Sequence, residues 1–473
     1  MDIKERSDEK MKTIYGASLG TLCPAELAAR LIIAYISEAD LKEEDWYRKA
    51  EFIARKNGTG KLIVVSCHTG FLSHTGRPLF VAKALRDLGA EVIFMAGAHR
   101  KGEDDEQGRY AHLISQEGFR IYDAPSQAGV RRIMKKAQAE GTWHWFDEEM
   151  IIQEVQTQRR SLQRIIEDQK RRPDVIITDL SQAMSITAEL EGVPMVSILN
   201  FTWTNHGHIR HTPAEYHITT RVCRGLGMAH VNECFAKWFG TTTMVLRMLL
   251  TLWVKPYNRV RKSLGLRSKR NFFDQMAGDL ILMPDFAAFK GIEMSKTALP
   301  IGPLAWEPQD REILAYADTA TVERFQAFLD AGTDTPLVYL TMGSTGTLAL
   351  FKVVIAALKD KPYRLAVTTG GQFDAADLGE LPANVCTIPF FPGNRILQKA
   401  SVTINHGGAG SVYQAMAAQV PQVIIPTHGD QQWNGDIVQA EGAGIRLRHR
   451  GLTSAKILDA VKSLLNTRQS EQN

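Results

Sequence analysis

Two α/β domains, each built on a parallel sheet, are predicted for this chain by three observations. Its 473 residues exceed what one ordinary hydrophobic core accommodates. From Lys61 onward, short β-branched apolar runs alternate with helical stretches. That alternation stops near residue 200 and resumes after a proline-rich stretch near residue 300. Strand, helix and strand in repetition give parallel pairing with helices on both faces, and ligands then sit beyond the carboxyl ends of the strands.

Residues 1–60 read as a helical extension. Pro24 stands where a helix starts, and Leu27, Leu31, Ile32 and Tyr35 recur on one face at helical spacing. The first domain, 61–300, runs through LIVVS, a helix from Pro78 to Leu88, EVIFMAG, DVIITD and PMVSI. Between about 200 and 275 the pattern breaks into a segment rich in His, Arg and aromatic residues, read as an insertion over an acceptor pocket. Trp203, Tyr216, Phe235, Trp238, Phe239 and Trp253 suit a hydrophobic acceptor such as a polyketide, a terpenoid or a lipid-like alcohol, and suit core packing equally. Its most apolar run, Met244 to Val254, is interrupted by Arg247 and falls short of the roughly 20 residues a span needs. A half-buried helix is expected there, with at most peripheral membrane contact. The stretch from Pro300 to Pro308 carries three prolines and reads as a linker. The second domain, 301–473, follows with LVYLTMGS, RLAVTTGG, NVCTIPFF, SVTINHGG and QVIIPTHG, and its final helix is expected to pack back on the first domain.

A net charge of +4 with 23% charged residues gives no electrostatic case for nucleic-acid binding. The five cysteines are scattered and lack a CxxC spacing, so neither a disulfide framework nor a zinc site is expected, and a reducing cytoplasm fits. The charged start, MDIKERSDEKMK, does not have the form of a secretion signal.

The stretch SVTINHGGAGSVYQAMAAQVPQVIIPTHGDQQWN, 401–434, carries the functional argument. His406 ends a strand, Gly407, Gly408 and Gly410 let a ligand approach the backbone, and Ser411 opens a helix whose free N–H groups suit a diphosphate. A tight turn using glycine for geometry alone would look the same. Asp430 and Gln431 combine acceptors and donors that match the vicinal hydroxyls of a sugar, and Asp430 also suits a helix N-cap.

With VYLTMGS, TGGQFDAADLGELPANV and PFFPGNRIL, this stretch resembles the donor-binding signature of the UDP-glycosyltransferase family, in its bacterial macrolide-glycosyltransferase-like branch. The resemblance covers most of 61–460 and implies the GT-B fold, two Rossmann-like domains facing a central cleft. It implies that Ser344, His406 and Ser411 contact the diphosphate, with Gly408 and Gly410 beside them. It also implies that Asp430 and Gln431 hold the sugar and that Phe390 stacks on uracil or thymine, although core packing accounts for Phe390 equally. Gln414 stands where many members have a ribose-binding Glu, which leaves dTDP beside UDP as donor nucleotide.

Inverting transfer needs a base on the acceptor hydroxyl, for which histidine is suited. CHTGFLSHTGRP offers His68 and His74, and SHTGRP resembles the family pattern GHxxRP, with Ser73 in place of glycine, which favours His74. Asp179 ends the strand DVIIT, where the family completes a His–Asp dyad, or it caps a helix. No Asp-x-Asp pair of the metal-dependent type occurs, so no metal and no cofactor beyond the nucleotide sugar is expected. A nucleotide-sugar epimerase and a non-catalytic partner of another transferase are the alternative readings.

Overall fold

A computed structural model describes residues 5–6, 8–10, 22–37, 50, 53, 57–97, 108–124, 148–207, 226–227, 244–289, 292, 295, 297–305, 307–332, 335–343, 346–427, 429–449 and 451–472. These divide into two compact units, one ending at Leu304 and the other running from Ala305 onward.

The first unit opens with α1 (Pro24–Ser37), whose Leu27, Leu31 and Ile32 are fully buried. Instead of forming an appendage, this helix packs against α2 (Leu72–Asp87) and belongs to the core of the unit. Strands β1 (Leu62–Cys67), β2 (Glu91–Ala96), β3 (Arg120–Asp123), β4 (Val175–Asp179), β5 (Met195–Ile198), β6 (Leu280–Met283) and β7 (Ala298–Pro300) form one sheet in the order β3-β2-β1-β4-β5-β6-β7. Every pairing in it is parallel. Apart from the polar, partly exposed edge strand β3, these strands are buried and mostly apolar, as strands covered on both faces are. The helices are α3 (Ala111–Gln116), α4 (Glu148–Gln169), α5 (Met184–Glu191), α6 (Met244–Trp253), α7 (Lys255–Ser263) and α8 (Phe272–Met276).

Helix α2 begins six residues before the expected start at Pro78. The Thr75 N–H closes the first turn on the Phe71 carbonyl at 3.1 Å, and the Thr75 hydroxyl donates to the same oxygen at 2.9 Å. Pro78 lies inside the helix, where its missing N–H leaves the His74 carbonyl without an intrahelical donor. His74 therefore stands in the first turn of a helix and not in a loop.

In the second unit, β8 (Leu337–Thr341), β9 (Arg364–Thr368), β10 (Val385–Ile388), β11 (Val402–Asn405), β12 (Gln422–Ile424) and β13 (Gly444–Arg446) form an all-parallel sheet ordered β10-β9-β8-β11-β12-β13. Its helices are α9 (Asp310–Tyr316), α10 (Thr319–Asp330), α11 (Leu348–Leu358), α12 (Gly393–Leu397), α13 (Ala409–Ala417), α14 (Gly429–Ala440) and α15 (Ser454–Gln472). Ile457, Val461 and Leu465 of α15 sit in this unit's own core with Val354, Leu358 and Ile404.

Both sheets therefore reverse strand order at one place, between β1 and β4 and between β8 and β11. Loops leaving neighbouring strands diverge there and open a crevice at the carboxyl ends.

Candidate active site

The switch point of the first unit holds a buried polar cluster. Asp179, at the end of β4, is fully buried and accepts three charge-assisted hydrogen bonds. His74 Nδ1 lies 2.7 Å from Asp179 Oδ1, Arg77 Nη2 donates to the same oxygen at 2.7 Å, and Arg77 Nε donates to Oδ2 at 2.9 Å. Arg77 Nη1 reaches Asn200 Oδ1 at 2.5 Å, and Asn200 Nδ2 donates to Asp285 Oδ1 at 2.9 Å. Asp285, also fully buried, takes the Phe201 N–H at 2.8 Å.

This arrangement fixes the histidine tautomer. Arg77 Nη2 also lies 3.2 Å from His74 Nδ1, but a guanidinium can only donate and Asp179 can only accept. The shorter contact to the carboxylate wins, so Nδ1 carries the proton and donates it to Asp179. Nε2 is then the basic nitrogen, and it makes no hydrogen bond among the described residues. The side chain is 21% exposed, against 0% for Asp179. Phe71 borders the imidazole edge-on at 5.8 Å. His68, the other candidate, opens the turn after β1, where its Nδ1 accepts the Gly70 N–H at 3.1 Å. That bond orients His68 Nδ1 toward the backbone.

Two features of this corner carried no sequence signal. Leu180 adopts φ 56, a left-handed conformation that costs a non-glycine residue about 1–2 kcal/mol and turns the chain directly after Asp179. Cys67, next to His68, is buried, and burial followed by the Asp179 charge pushes its thiol far up, which keeps it protonated and inert.

The second unit's switch point is shaped by missing side chains. Gly343, at φ 53 after β8, and Gly408 both flank the buried His406 ring. A Cβ at Gly343 would meet His406 Cε1 at 2.7 Å, and one at Gly408 would meet Nε2 at 2.4 Å. Gly407 adopts φ 87, and a Cβ there would fall 2.5 Å from the Gln431 carbonyl. The turn is held from beneath by a buried amide set. Asn405 Oδ1 accepts the Gly407 N–H at 2.8 Å, Asn405 Nδ2 donates to Gln422 at 2.9 Å, and Asn434 Nδ2 donates to the Gly407 carbonyl at 2.8 Å. Gly408 is the N-cap of α13, so the unpaired N–H groups of this helix begin directly behind the turn. Open space surrounds Gly410, and the half-buried Ser411 hydroxyl makes no hydrogen bond among the described residues.

The remaining expected donor residues fall around this turn. Asp430, in the first turn of α14, is half-buried, whereas Gln431 is buried with its Oε1 accepting the Thr427 N–H and hydroxyl, both at 2.9 Å. Gln431 thus holds its own loop through its oxygen. Phe390 packs against Tyr316, ring centroids 4.6 Å apart and tilted 53°, and Tyr316 is exposed. Gln414 Nε2 donates to Glu307 Oε1 at 3.3 Å, and that same oxygen accepts the Asn394 N–H at 2.6 Å. A carboxylate is therefore present beside Gln414, supplied by the expected linker. Ser344 lies outside the described residues, as do Tyr216, Phe235, Trp238 and Phe239.

Residues 365–473 match the family described as Erythromycin biosynthesis protein CIII-like, C-terminal domain. A PGL/p-HBAD biosynthesis glycosyltransferase of Mycobacterium tuberculosis (strain ATCC 25177 / H37Ra) is 25% identical over 410 residues, covering 85% of this chain and 84% of the relative. A PGL/p-HBAD biosynthesis rhamnosyltransferase of Mycobacterium bovis (strain BCG / Pasteur 1173P2) is 27% identical over 414 residues, covering 85% and 80%. Among solved structures, the spinosyn rhamnosyltransferase SpnG complexed with thymidine diphosphate shares the fold at a TM-score of 0.53 and 18% identity, covering 86% of this chain and 92% of that one.

Proposed function

We propose that this chain, which is similar over about 85% of its length to the mycobacterial glycosyltransferases and shares the GT-B fold, is a member of the UDP-glycosyltransferase family that moves a hexose from a uridine or thymidine diphosphate donor to a hydroxyl of a small hydrophobic acceptor, with inversion and with His74 as general base. The observation that carries this reading is the 2.7 Å contact between His74 and the fully buried Asp179. An alcohol is a poor nucleophile until a base takes its proton, and a neutral imidazole serves only if its other nitrogen is held.

In this mechanism the acceptor oxygen attacks the anomeric carbon while its proton passes to His74 Nε2. The bond from that carbon to the diphosphate oxygen breaks, and its electron pair leaves with the nucleoside diphosphate. Asp179 stabilises the imidazolium so formed, and Arg77 holds Asp179 by both oxygens. Charge growing on the leaving group is taken up by the N–H groups at the start of α13 and by Ser411, which leaves no step for a metal. Asp430 binds sugar hydroxyls, and the exposed Tyr316, packed on the buried Phe390, offers ring surface to the base. The names of the two mycobacterial relatives and the thymidine diphosphate of the spinosyn enzyme support a sugar nucleotide donor, deoxyhexoses included.

The test is mass-spectrometric detection of glycosylated product with UDP- and dTDP-hexoses, a panel of hydrophobic alcohols and EDTA. Product in EDTA that disappears in His74→Ala but persists in His68→Ala is expected. Undiminished turnover by His74→Ala overturns the assignment of the base. A sugar altered without acceptor marks an epimerase, and no turnover with any pair marks a non-catalytic partner.

A further inference from the structure

Helices α6 and α7 follow one another with only Val254 between them, and Val254 is itself right-handed helical at φ −77 and ψ −17. Side chains at intervals of four and three therefore share a face through the junction. Leu250, Val254, Tyr257 and Arg261 form the buried face. On the opposite face Met248, Leu252, Lys255, Arg259 and Lys262 are all exposed, so one outward stripe is apolar in its first half and basic in its second. Met248 and Leu252 are 46% and 43% exposed, and Leu264 just beyond α7 is 37% exposed. These are three of only seven large apolar side chains that are exposed among the described residues, so the clustering is not the usual scatter.

Charge is segregated in the same place. From Met244 to Phe273 there are eight basic residues and no acidic one. The whole chain is only +4, so everything outside this segment is net negative. Arg259 pairs with Glu148, Arg261 with Glu189 and Arg270 with Asp274. Arg247, Lys255, Lys262, Arg267 and Lys269 have no carboxylate within ion-pair distance among the described residues.

We infer that this α6–α7 face is a peripheral docking surface for an anionic lipid bilayer, with Met248 and Leu252 entering the headgroup boundary and the free lysines and arginines meeting lipid phosphates. Exposed thioether and leucine side chains beside unpaired cations fit a surface whose own charge is negative and whose interior is apolar. A purely solvated helix would carry carboxylates among its cations, and a polyanion-binding face has no use for the apolar half. No helix among the described residues is long and apolar enough to cross a membrane, so attachment is to one leaflet. The inference does not rest on the transferase reading, since its readout is binding and not turnover.

The experiment is flotation of the full chain with vesicles of phosphatidylcholine alone and of phosphatidylcholine with about one-third phosphatidylglycerol. Binding to the anionic vesicles, weakened but not abolished by raised salt, is expected, with little binding to the neutral ones. K255E/K262E is expected to weaken it by at least about tenfold, and M248S/L252S to remove the salt-resistant part. Both pairs lie on the exposed face, and unchanged thermal unfolding checks that the variants remain folded. Failure to float with anionic vesicles, or equal flotation with neutral ones, overturns the inference. If M248S/L252S binds as the parent does, the surface is a general polyanion or protein site, and the bilayer assignment is wrong.

Discussion

Asp179→Asn is expected to abolish most turnover while leaving a folded protein. In the parent, Oδ1 accepts from His74 and Arg77 Nη2 and Oδ2 accepts from Arg77 Nε. An asparagine can place oxygen at only one of these positions. With its oxygen at Oδ2, the NH2 group faces His74 and forces Nδ1 to become the acceptor, which moves the ring proton to Nε2 and removes the base. With its oxygen at Oδ1, the NH2 group confronts Arg77 Nε–H, donor against donor. Either way Arg77, only 6% exposed, loses the charge that compensates it.

Breaking a buried ion pair costs about 3–5 kcal/mol, against a typical total stability of about 5–15. For a unit of this size the unfolding temperature should fall by roughly 6–20 °C, so assays belong well below ambient unfolding. Loss of the oriented, charge-stabilised histidine should lower kcat by about 10³–10⁴-fold, or roughly 4–5.5 kcal/mol. The assay is the initial rate of product formation at saturating donor, with thermal unfolding measured on the same preparations. The double variant Asp179→Asn with Arg77→Met removes both charges and should recover much of the stability but none of the rate. A folded Asp179→Asn protein within tenfold of the parent kcat, or a double variant that regains activity, would refute the reasoning.

Gly408→Ala should lower the unfolding temperature and weaken nucleotide binding at least about tenfold, because its methyl would sit 2.4 Å from His406 Nε2. Gly410→Ala, in open space within α13, should keep or raise the unfolding temperature while still weakening nucleotide binding, and calorimetry on the pair distinguishes ligand crowding from misfolding. Gln414→Glu sets a second carboxylate against Glu307 and should raise the donor KM about tenfold, with recovery in the Glu307→Gln double variant; a lowered KM in the single variant would show that the carboxylate is wanted at 414 itself. At alkaline pH the half-buried Tyr35 and the buried Tyr257 and Tyr339 should destabilise the fold. Burial, then the Asp279 charge, pushes Tyr35 up to about 12, and burial also raises Tyr257 and Tyr339. Unfolded tyrosine ionises near pH 10, so between about 10 and 12 the unfolded chain binds fewer protons than the folded one. Stability should be full below pH 10 and fall as pH rises toward 12, and an unchanged urea midpoint between pH 9 and pH 11 would contradict this.

The strands were legible because a strand buried on both faces is an unbroken β-branched run, and LIVVS, DVIIT and SVTIN have no other good use. His74 and Asp179 were legible as types at strand ends. Their pairing is implied by the family resemblance alone and by nothing local, because 105 residues separate them and only the strand order brings β1 beside β4. Arg77 stood in the quoted SHTGRP without a role, since nothing local shows that a guanidinium three residues from a histidine turns inward to a distant carboxylate. Asn200, Asp285, Asn405, Gln422 and Asn434 are invisible for the same reason: a buried polar side chain and an exposed one read alike in a sequence. The start of α2 lies before Pro78 because the Thr75 bonds to the Phe71 carbonyl already close a turn there, which no residue type in FLSHTG announces.

The two switch points share one topology and differ in what fills them. Each sheet leaves a crevice where its strand order reverses, and nothing in the backbone plan distinguishes the two. In the first unit that place is filled with charge: a carboxylate held by a guanidinium, which is held in turn by an amide and a second carboxylate. Such a cluster is costly to bury and can be kept only if each hydrogen-bonding atom is matched, so it is rigid and orients one imidazole. In the second unit the same place is emptied: glycines at 343, 407 and 408 forbid side chains where Cβ atoms would strike His406 or the Gln431 carbonyl. An anion needs backbone N–H groups within hydrogen-bond reach, and only a turn without side chains exposes them. On the proposed reading, proton transfer uses the side chains that gather at β1 and β4, and diphosphate binding uses the turns that glycines clear of side chains at β8 and β11.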